Sequence, residues 1–306
     1  MIDASRIAAI FERFTTGFQF YLQDLRSGAC VELGEAGPWP IGSCFKLAVL
    51  VAYQEALADG TLPPGSLDAE NLIGPRDFSS GAGIINLLSS PIRLTDRHLL
   101  EWMLAGSDGT ATDILIGKVG LNRVQATLAR LAPESTLDCN LHGMIERFQR
   151  IEGALDCKTR QWTKAAALTF RKSTCRLGQT NARDLAQLAI QTYSVITGTW
   201  TGPLPIRRVW PRTDMFMGSR TRTFAKTGSL GFRYFTAEAG VILDGDSAVA
   251  TFGYCSEGWR LPAFLVESIC GLVGLQMAIA MGLDHDVNRD WTPEGAQLLL
   301  GDLWRA

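Results

Sequence analysis

Residues 40 to 46 read Pro-Ile-Gly-Ser-Cys-Phe-Lys and begin an apolar run that continues to Leu57. The run predicts a helix from Ile41 to Leu57. Ser43 and Lys46 are three positions apart, so a helix would place the hydroxyl and the amine on one face. A serine hydroxyl is a weak nucleophile that needs a base. A lysine serves as that base when burial or a neighbouring cation lowers its pKa.

Ser43 also lies near the start of the predicted helix, where backbone N–H groups stabilise a developing oxyanion. Ordinary usage of serine and lysine gives roughly one such S-x-x-K spacing by chance in a chain of 306 residues. An exposed helix start is therefore the more ordinary explanation of this motif alone, and a catalytic role needs support from elsewhere in the chain.

Two more motifs follow in chain order. Ser107-Asp108-Gly109 comes directly after the apolar segment Leu99 to Leu104, and taken alone it is a common turn and helix N-cap sequence. Lys226-Thr227-Gly228 directly precedes two predicted strands. On an edge strand beside a site, the lysine and the hydroxyl can hold a substrate carboxylate, and the glycine admits the substrate close to the backbone. The ordered set of three motifs is far rarer by chance than any one of them.

The order of predicted elements indicates an α+β fold. Periodicity predicts, in chain order, a helix over Ile2–Arg13, strands over Phe18–Leu25 and Cys30–Leu33, the Ile41–Leu57 helix, mainly helical structure over Thr95–Ile196, strands over Phe235–Leu243 and Ala248–Tyr254, and helices over Leu261–Met281 and Pro293–Trp304. Two strands at the start of the chain cannot form a stable sheet alone, so we expect them to pair with the late strands.

The expected architecture has two lobes. Residues 1–42 and 205–306 would form a lobe with an antiparallel sheet, built by both chain ends and flanked by helices. Residues 43–204 would form a mainly helical lobe that carries Ser43, Lys46 and Ser107. We expect the site between the two lobes.

Composition and charge exclude several classes of protein. The formal net charge is -2, so bulk electrostatics gives no reason to bind nucleic acid or an acidic membrane. The seven cysteines are dispersed without a C-x-x-C pair, which argues against a zinc site and favours a reducing compartment.

The N-terminus shows no apolar run fit for a signal peptide, so we expect a cytoplasmic protein. Leu261–Gly282 is long enough to span a membrane, but Glu267 within it favours a buried helix.

Together the three motifs resemble the S-x-x-K, S-D-N and K-T-G signature of class A β-lactamases and penicillin-binding proteins. Residues 40–46 look like the nucleophile segment of that family. Residues 180–185, Thr-Asn-Ala-Arg-Asp-Leu, resemble the helix start after its omega loop, and residues 222–228, Arg-Thr-Phe-Ala-Lys-Thr-Gly, resemble its third motif. The resemblance covers the chain from about Arg6 to Met281, and it implies the same two-lobed fold.

The resemblance also implies a role for each matching residue. Ser43 would be the acylated nucleophile, Lys46 its base, and Ser107 the relay that passes a proton to the leaving group. The expected substrate-binding residues are Lys226, Thr227, Gly228, Ser229, Gly109 and Arg233, and the backbone N–H groups of Ser43 and Ser229 would form the oxyanion hole. No metal or organic cofactor is implied. The expected partner is a small substrate that bears a carboxylate, with no nucleic acid and no membrane.

Two departures from the family pattern bear on turnover. Gly109 stands where the family has an asparagine, so the amide that would contact the substrate is absent. The glutamate with which class A enzymes activate the deacylating water has no counterpart in residues 136–142, Thr-Leu-Asp-Cys-Asn-Leu-His. Candidate replacements nearby are Glu134, Glu146, Glu152 and His142, although a solvated carboxylate or a structural histidine is the more ordinary interpretation of each.

The segment from Asp156 to Leu185 is unusually basic. Its cations include Lys158, Arg160, Lys164, Arg171, Lys172 and Arg176, with no acidic residue between Asp156 and Asp184. One interpretation is an extra helix around residues 161–170 that forms a lid over the site and attracts an anionic substrate. The alternative is a solvated basic face.

The sequence leaves three functional hypotheses open. The first is hydrolysis or transfer of an acyl group through acyl-Ser43, on an ester, an amide or a β-lactam. The second is a sensor or trap in which Ser43 is acylated and never released. The third is a biosynthetic enzyme that reuses the pocket for other chemistry, such as a lyase or isomerase step. Because the acylation residues are present, we favour the first hypothesis. Because the deacylating glutamate is absent, we expect weak penicillinase activity.

Overall fold

A five-stranded antiparallel sheet forms the centre of the computed structural model, which describes residues 4–79, 81–154, 163–199, 221–230, 234–245, 247–261 and 263–283. Its strands are β1 (Gly17–Asp24), β2 (Cys30–Gly34), β7 (Thr221–Leu230), β8 (Phe235–Asp244) and β9 (Ser247–Glu257). The strand order is β2-β1-β9-β8-β7. The early strands therefore pair with the late ones through β1 and β9. The predicted α+β fold, with an antiparallel sheet built by both chain ends, is confirmed.

The remaining elements surround this sheet. The helices are α1 (Ser5–Phe14), α2 (Lys46–Ala58), α3 (Asp96–Ala105), α4 (Gly109–Val119), α5 (Leu121–Leu131), α6 (Leu141–Ala154), α7 (Lys164–Thr174), α8 (Ala182–Thr199) and α9 (Ala263–Ala280). Two short antiparallel pairs, which the sequence analysis missed, are β3 (Trp39–Pro40) with β6 (Gln179–Thr180) and β4 (Glu70–Ile73) with β5 (Ile92–Thr95). The predicted boundaries of the two lobes, at residues 42/43 and 204/205, stay a prediction.

Helices cover both faces of the central sheet. On one face, α1 and α9 bury an apolar layer that includes Phe11, Phe20 and Tyr254. On the other face, α8 and the surrounding helices bury a second layer that includes Phe224 and Val241. Because both faces are covered, β8 and β9 are buried along nearly their whole length, which explains why most of their residues are apolar. The buried polar exceptions are Thr236, Glu238, Thr251, Ser256 and Glu257.

Helix α2 lies in the middle of the second layer. Nearly every residue from Lys46 to Ala56 is buried, and a helix that is apolar all round is typical of a protein core. Lys46 is the exception, because its amine-bearing side chain is fully buried at the first position of this helix.

The apolar segment near the C-terminus forms α9, which packs against α1 and the sheet. Among the described residues, no helix is both long and apolar enough to cross a membrane. The expected helix over Pro293–Trp304 and the side chain of Glu267 lie outside the described residues. The six described cysteines form no disulfide with one another, and Cys157 lies outside the described residues.

The basic segment is anchored by Arg171 of α7. This guanidinium lies 4.0 Å from the ring centroid of Trp39, 3.0 Å from a carboxylate oxygen of Glu35 and 3.6 Å from one of Glu257. Lys164 forms a second ion pair with Glu35 at 3.0 Å. Arg171 thus clamps the helix to Trp39, four residues before Ser43, whereas Lys164, Lys172 and Arg176 are exposed, as the interpretation of a solvated basic face predicts.

Glu257 makes the clamp sensitive to pH. Burial raises the pKa of Glu257 from 4.5 to about 7, although Arg171 opposes the rise. The folded protein then binds more protons than the unfolded chain between these two values, so stability falls as the pH rises from 4.5 to 7. A shift of this size is worth about 3 kcal/mol at most.

Replacing Glu257 with glutamine should therefore flatten the decline of unfolding free energy between pH 4.5 and 7, because glutamine has no proton to lose. The measurement is urea unfolding of both proteins at pH 5 and pH 7. Glu12→Gln, an exposed glutamate on α1, is the control and should keep the wild-type slope. Equal pH dependence in Glu257→Gln and wild type would contradict the prediction.

Candidate active site

Ser43 is presented by a tight turn rather than by the long helix that the sequence predicts. A 3-10 helix over Gly42–Phe45 precedes α2, which begins at Lys46. Gly42 has a φ of +50°, a left-handed conformation that glycine adopts without steric cost. Residues three apart remain neighbours in 3-10 geometry, and Ser43 and Lys46 both line one cleft.

The backbone of β7 approaches this turn closely. A Cβ added to Gly228 would lie 3.1 Å from the Ser43 backbone nitrogen, and one added to Gly42 would lie 3.2 Å from the Ser229 backbone nitrogen. Both distances are too short for a side chain to fit without displacement. The two glycines therefore allow the N–H groups of Ser43 and Ser229 to come near one another, as an oxyanion hole requires.

The Ser107 hydroxyl lies between two buried amines. The Lys46 amine is 3.0 Å from Ser107 Oγ and 2.6 Å from the Ser107 carbonyl oxygen. The Lys226 amine is 3.3 Å from the same Oγ and donates to the Thr227 carbonyl oxygen at 2.8 Å. Both lysine side chains are fully buried. The structure thus brings residues from all three sequence motifs within hydrogen-bonding distance.

The Ser107 loop is held in a strained conformation. Ser107 has a φ of +54°, which is uncommon for a residue other than glycine and costs on the order of 1–3 kcal/mol. Asp108 compensates, because its buried carboxylate accepts hydrogen bonds from the backbone N–H groups of Ala111, Ile84 and Ile85 at 2.7 to 3.0 Å. Asp108 is also the N-cap of α4, as the turn sequence suggests.

The environment of Lys46 favours its neutral form. Burial lowers the pKa of Lys46 well below its usual value of 10.5, and the positive charge of Lys226 lowers it further. Asp108 and Asp113 oppose both effects. A buried amine that loses its proton readily can accept one from a serine hydroxyl.

Acylation of Ser43 should therefore increase with pH only up to the lowered pKa of Lys46 and be constant above it, so the plateau should begin well below the usual lysine pKa of 10.5. The measurement is the rate of labelling by a neutral ester from pH 5 to pH 10. Lys226→Met removes one cause of the lowered pKa, so the rising limb should move to higher pH. A profile that starts to rise only above pH ~9 in the wild type would contradict this role for Lys46.

The cleft has a volume of about 250 Å³. Its polar side is formed by Ser43, Lys46, Ser107 and residues 226–229. The other described lining residues are apolar or lack a side chain, and they are Gly81, Ala82, Ala105, Gly106, Leu141 and Ile145. Leu141 and Ile145 occupy successive turns on one side of α6. Their apolar side chains were not identified as site residues from the sequence.

None of the four residues considered as replacements for the missing glutamate lines this cleft. Glu134 accepts a hydrogen bond from the Asn181 side chain at 3.0 Å. His142 and Glu146 are half-exposed and contact each other at 3.4 Å. Glu152 lies farther along α6, away from the described lining residues. The structure gives no support to any of them as the base that activates water.

Three other expectations concern substrate contacts. Gly109 is buried at the start of α4, donates its N–H to the Ala82 carbonyl oxygen at 2.8 Å and does not line the cleft. Arg233 lies outside the described residues. None of the described residues of α7 lines the cleft, and residues 161 and 162 of the predicted lid lie outside the described residues.

Solved structures of known proteins share this fold. A β-lactamase from Sphaerobacter thermophilus is 20% identical, with a TM-score of 0.65 over 92% of this chain and 98% of that one. PBP-A is 18% identical, with a TM-score of 0.65 over 91% of this chain and 95% of that one. A reconstructed ancestral class A β-lactamase of Gram-negative bacteria is 17% identical, with a TM-score of 0.67 over 90% and 99%. No curated protein sequence matches this chain significantly.

The fold is that of the β-lactamase superfamily of serine hydrolases, and a family model supports the same class. The model of the β-lactamase enzyme family matches residues 4–257, and the chain belongs to that family.

Proposed function

We propose that the protein cleaves or transfers acyl groups through a covalent acyl-Ser43 intermediate, on a small substrate that bears a carboxylate. The observation that carries the proposal is the Ser107 hydroxyl, which lies within 3.3 Å of both the Lys46 and the Lys226 amines in a cleft that Ser43 also lines. This arrangement supplies a nucleophile, a buried neutral base and a proton path in one place.

The proposed acylation step follows from these positions. Ser43 Oγ attacks the carbonyl carbon while its proton moves to the neutral Lys46 amine, and the N–H groups of Ser43 and Ser229 hold the resulting oxyanion. When the tetrahedral intermediate collapses, the bond to the leaving group breaks. The proton passes from Lys46 through the Ser107 hydroxyl to the leaving amine or alkoxide. Lys46 is neutral again, and the acyl group is an ester of Ser43.

The substrate carboxylate would lie against the end of the cleft formed by Lys226 and Thr227. Lys226 is a buried cation, and a charge-assisted hydrogen bond to a carboxylate is strong in such a site. The Lys226 amine also contacts the Ser107 hydroxyl. Binding of the carboxylate would therefore place the leaving group of the substrate next to the proton relay.

A trap with little turnover is the second candidate function. It is favoured by the apolar side chains of Leu141 and Ile145, because a water molecule over the acyl ester finds no base on that wall. A variant of PBP-A has been solved as an acyl-enzyme complex with penicillin G, and the same adduct is the expected product here. The two candidates differ only in the rate at which acyl-Ser43 is hydrolysed.

Intact-mass measurement after exposure to a penicillin, a cephalosporin and a simple ester, followed over time, tests the proposal. A transient adduct indicates a hydrolase, and a persistent one indicates a trap. Absence of any adduct with all three compounds would overturn acylation as the function and leave other chemistry in the same cleft.

A further inference from the structure

We propose that Leu141 and Ile145 bind the acyl portion of the substrate and select an uncharged, apolar acyl group. The inference rests on the proposed function and deepens it. It makes Leu141 and Ile145 specificity-determining residues. The substrate would be an ester or amide whose leaving group carries a carboxylate and whose acyl group is a hydrocarbon chain.

The division of the cleft into two chemically different walls carries this inference. The strand wall, residues 226–229, presents a buried cation and a hydroxyl. The helix wall presents Leu141 and Ile145, and the nearby Ala82 adds a methyl group. A substrate that reaches Ser43 with its carboxylate on the strand wall must turn its acyl group toward the helix wall. A charged group there would be desolvated without a described partner on that wall.

The helix wall is fixed in position, as a specificity element must be. The Asp113 carboxylate accepts hydrogen bonds from the backbone N–H groups of Leu141 and His142, both at 2.8 Å. It also accepts the hydroxyl of Ser79 at 2.5 Å. Asp113 therefore ties the start of α6 to α4 and to the segment that leads to Ala82. Leu141 itself is only 5% exposed, so its side chain is held by packing.

Two exposed apolar side chains follow the cleft residue Ala82 in the chain. Ile84 and Leu87, which follow Ala82 along the chain, are 48% and 83% exposed. The N–H group of Ile84 donates to the Asp108 carboxylate at 2.7 Å, so this segment lies beside the Ser107 loop. Exposed apolar side chains next to a cleft are typical of a ligand-binding groove. A chain too long for the cleft would find further apolar contact there.

The test compares acyl donors that differ only in the acyl group. Acetyl, butyryl, hexanoyl and succinyl esters of glycolate share one carboxylate-bearing leaving group, and the rate of Ser43 labelling is followed by intact mass. Each added methylene should raise the labelling efficiency about fourfold, since burying one contributes ~0.8 kcal/mol. The succinyl ester should react about 10²-fold more slowly than the butyryl ester, because its second carboxylate would be buried.

Ile145→Asn should reduce the gain per methylene to less than about twofold, because an amide replaces the apolar contact. Ile279→Asn, the same substitution at a 42% exposed position on α9, is the matched control and should keep the wild-type series. An equal gain per methylene in Ile145→Asn and wild type would overturn the inference, and so would a wild type that prefers the succinyl ester.

A binding series separates this inference from the proposed function. In Ser43→Ala, calorimetry with acetyl-, butyryl-, hexanoyl- and succinylglycine measures recognition without chemistry. Affinity should increase about fourfold per methylene, and Ile145→Asn in the same background should remove the increase. If no ester labels Ser43 but this series holds, the proposed function fails and the inference stands. If labelling occurs and affinity is independent of chain length, the inference fails alone.

Discussion

Replacing Ser43 with alanine is expected to abolish covalent labelling by penicillins, cephalosporins and esters, with a loss on the order of 10⁴–10⁶-fold. The loss is large because the nucleophile and its base act as a unit. The hydroxyl of Ser107, which also lines the cleft, is already engaged by Lys46 and Lys226. Intact mass after prolonged incubation is the measurement.

Two controls make this result specific. Ser89→Ala changes an exposed serine and should label at the wild-type rate. The thermal unfolding midpoint of Ser43→Ala should stay close to that of the wild type, because the hydroxyl lines the cleft and is not part of a core layer. Labelling that persists in Ser43→Ala, mapped by peptide digestion to another residue, would disprove the nucleophile assignment.

Much of this architecture could be predicted because local sequence determines it. The alternation in β1 and β2 and the turn at Gly28 define a hairpin, and the apolar runs of β8 and β9 flank a turn at Gly245. Both glycines have positive φ, as such turns require. The pairing of β1 with β9 also followed, because a lone hairpin is not a stable sheet.

The chemistry of the cleft was only half predictable. The three motifs identified the polar side, since Ser43, Lys46, Ser107 and Lys226 are functional residue types at recognisable spacings. The apolar side could not be predicted from the motifs, because Leu141 and Ile145 carry no group that activates water or binds a carboxylate. The signal was present in the phase of α6, where Leu141 and Ile145 recur at a helical interval. Only the orientation of that helix shows that this side, rather than His142, faces the cleft.

The role of the basic segment could not be read from the sequence at all. Arg171 contacts Glu35, which is 136 positions away, and Glu257. Charge composition within residues 156–185 gives no information about acidic partners so distant in the chain. A surplus of local cations predicts a solvated face or a lid. It does not reveal that Arg171 has acidic partners on β9 and in the loop before β3.

Slow deacylation is the second large effect that we expect. The wild type should be a poor penicillinase in which acyl-Ser43 accumulates, because Leu141 and Ile145 offer no base to a water molecule above the ester. Losing a general base typically costs about 10²–10⁴-fold. Rapid steady-state hydrolysis of a penicillin without an accumulating acyl-enzyme would contradict this expectation.

Leu141→Glu should restore part of the missing activity. It places a carboxylate on the wall of the cleft, within the turn of α6 that Asp113 already fixes. The rate of loss of the penicilloyl adduct should increase by about 10²-fold, the lower end of what a general base contributes, because Ile145 still provides no hydrogen bond to orient the water. Acylation should become slower, because an apolar contact to the acyl group is lost and a carboxylate in the same cleft favours the charged form of Lys46, so decay of the adduct is followed after acylation is complete.

Leu141→Gln separates base catalysis from simple opening of the wall. Glutamine matches glutamate in size and polarity but cannot accept the proton of water at neutral pH, so its adduct should decay at nearly the wild-type rate. The increase in Leu141→Glu should also disappear at low pH, where the carboxyl group is protonated. If glutamine accelerates decay as much as glutamate does, water access limits deacylation, and the apolar wall protects the acyl-enzyme by excluding water rather than by lacking a base.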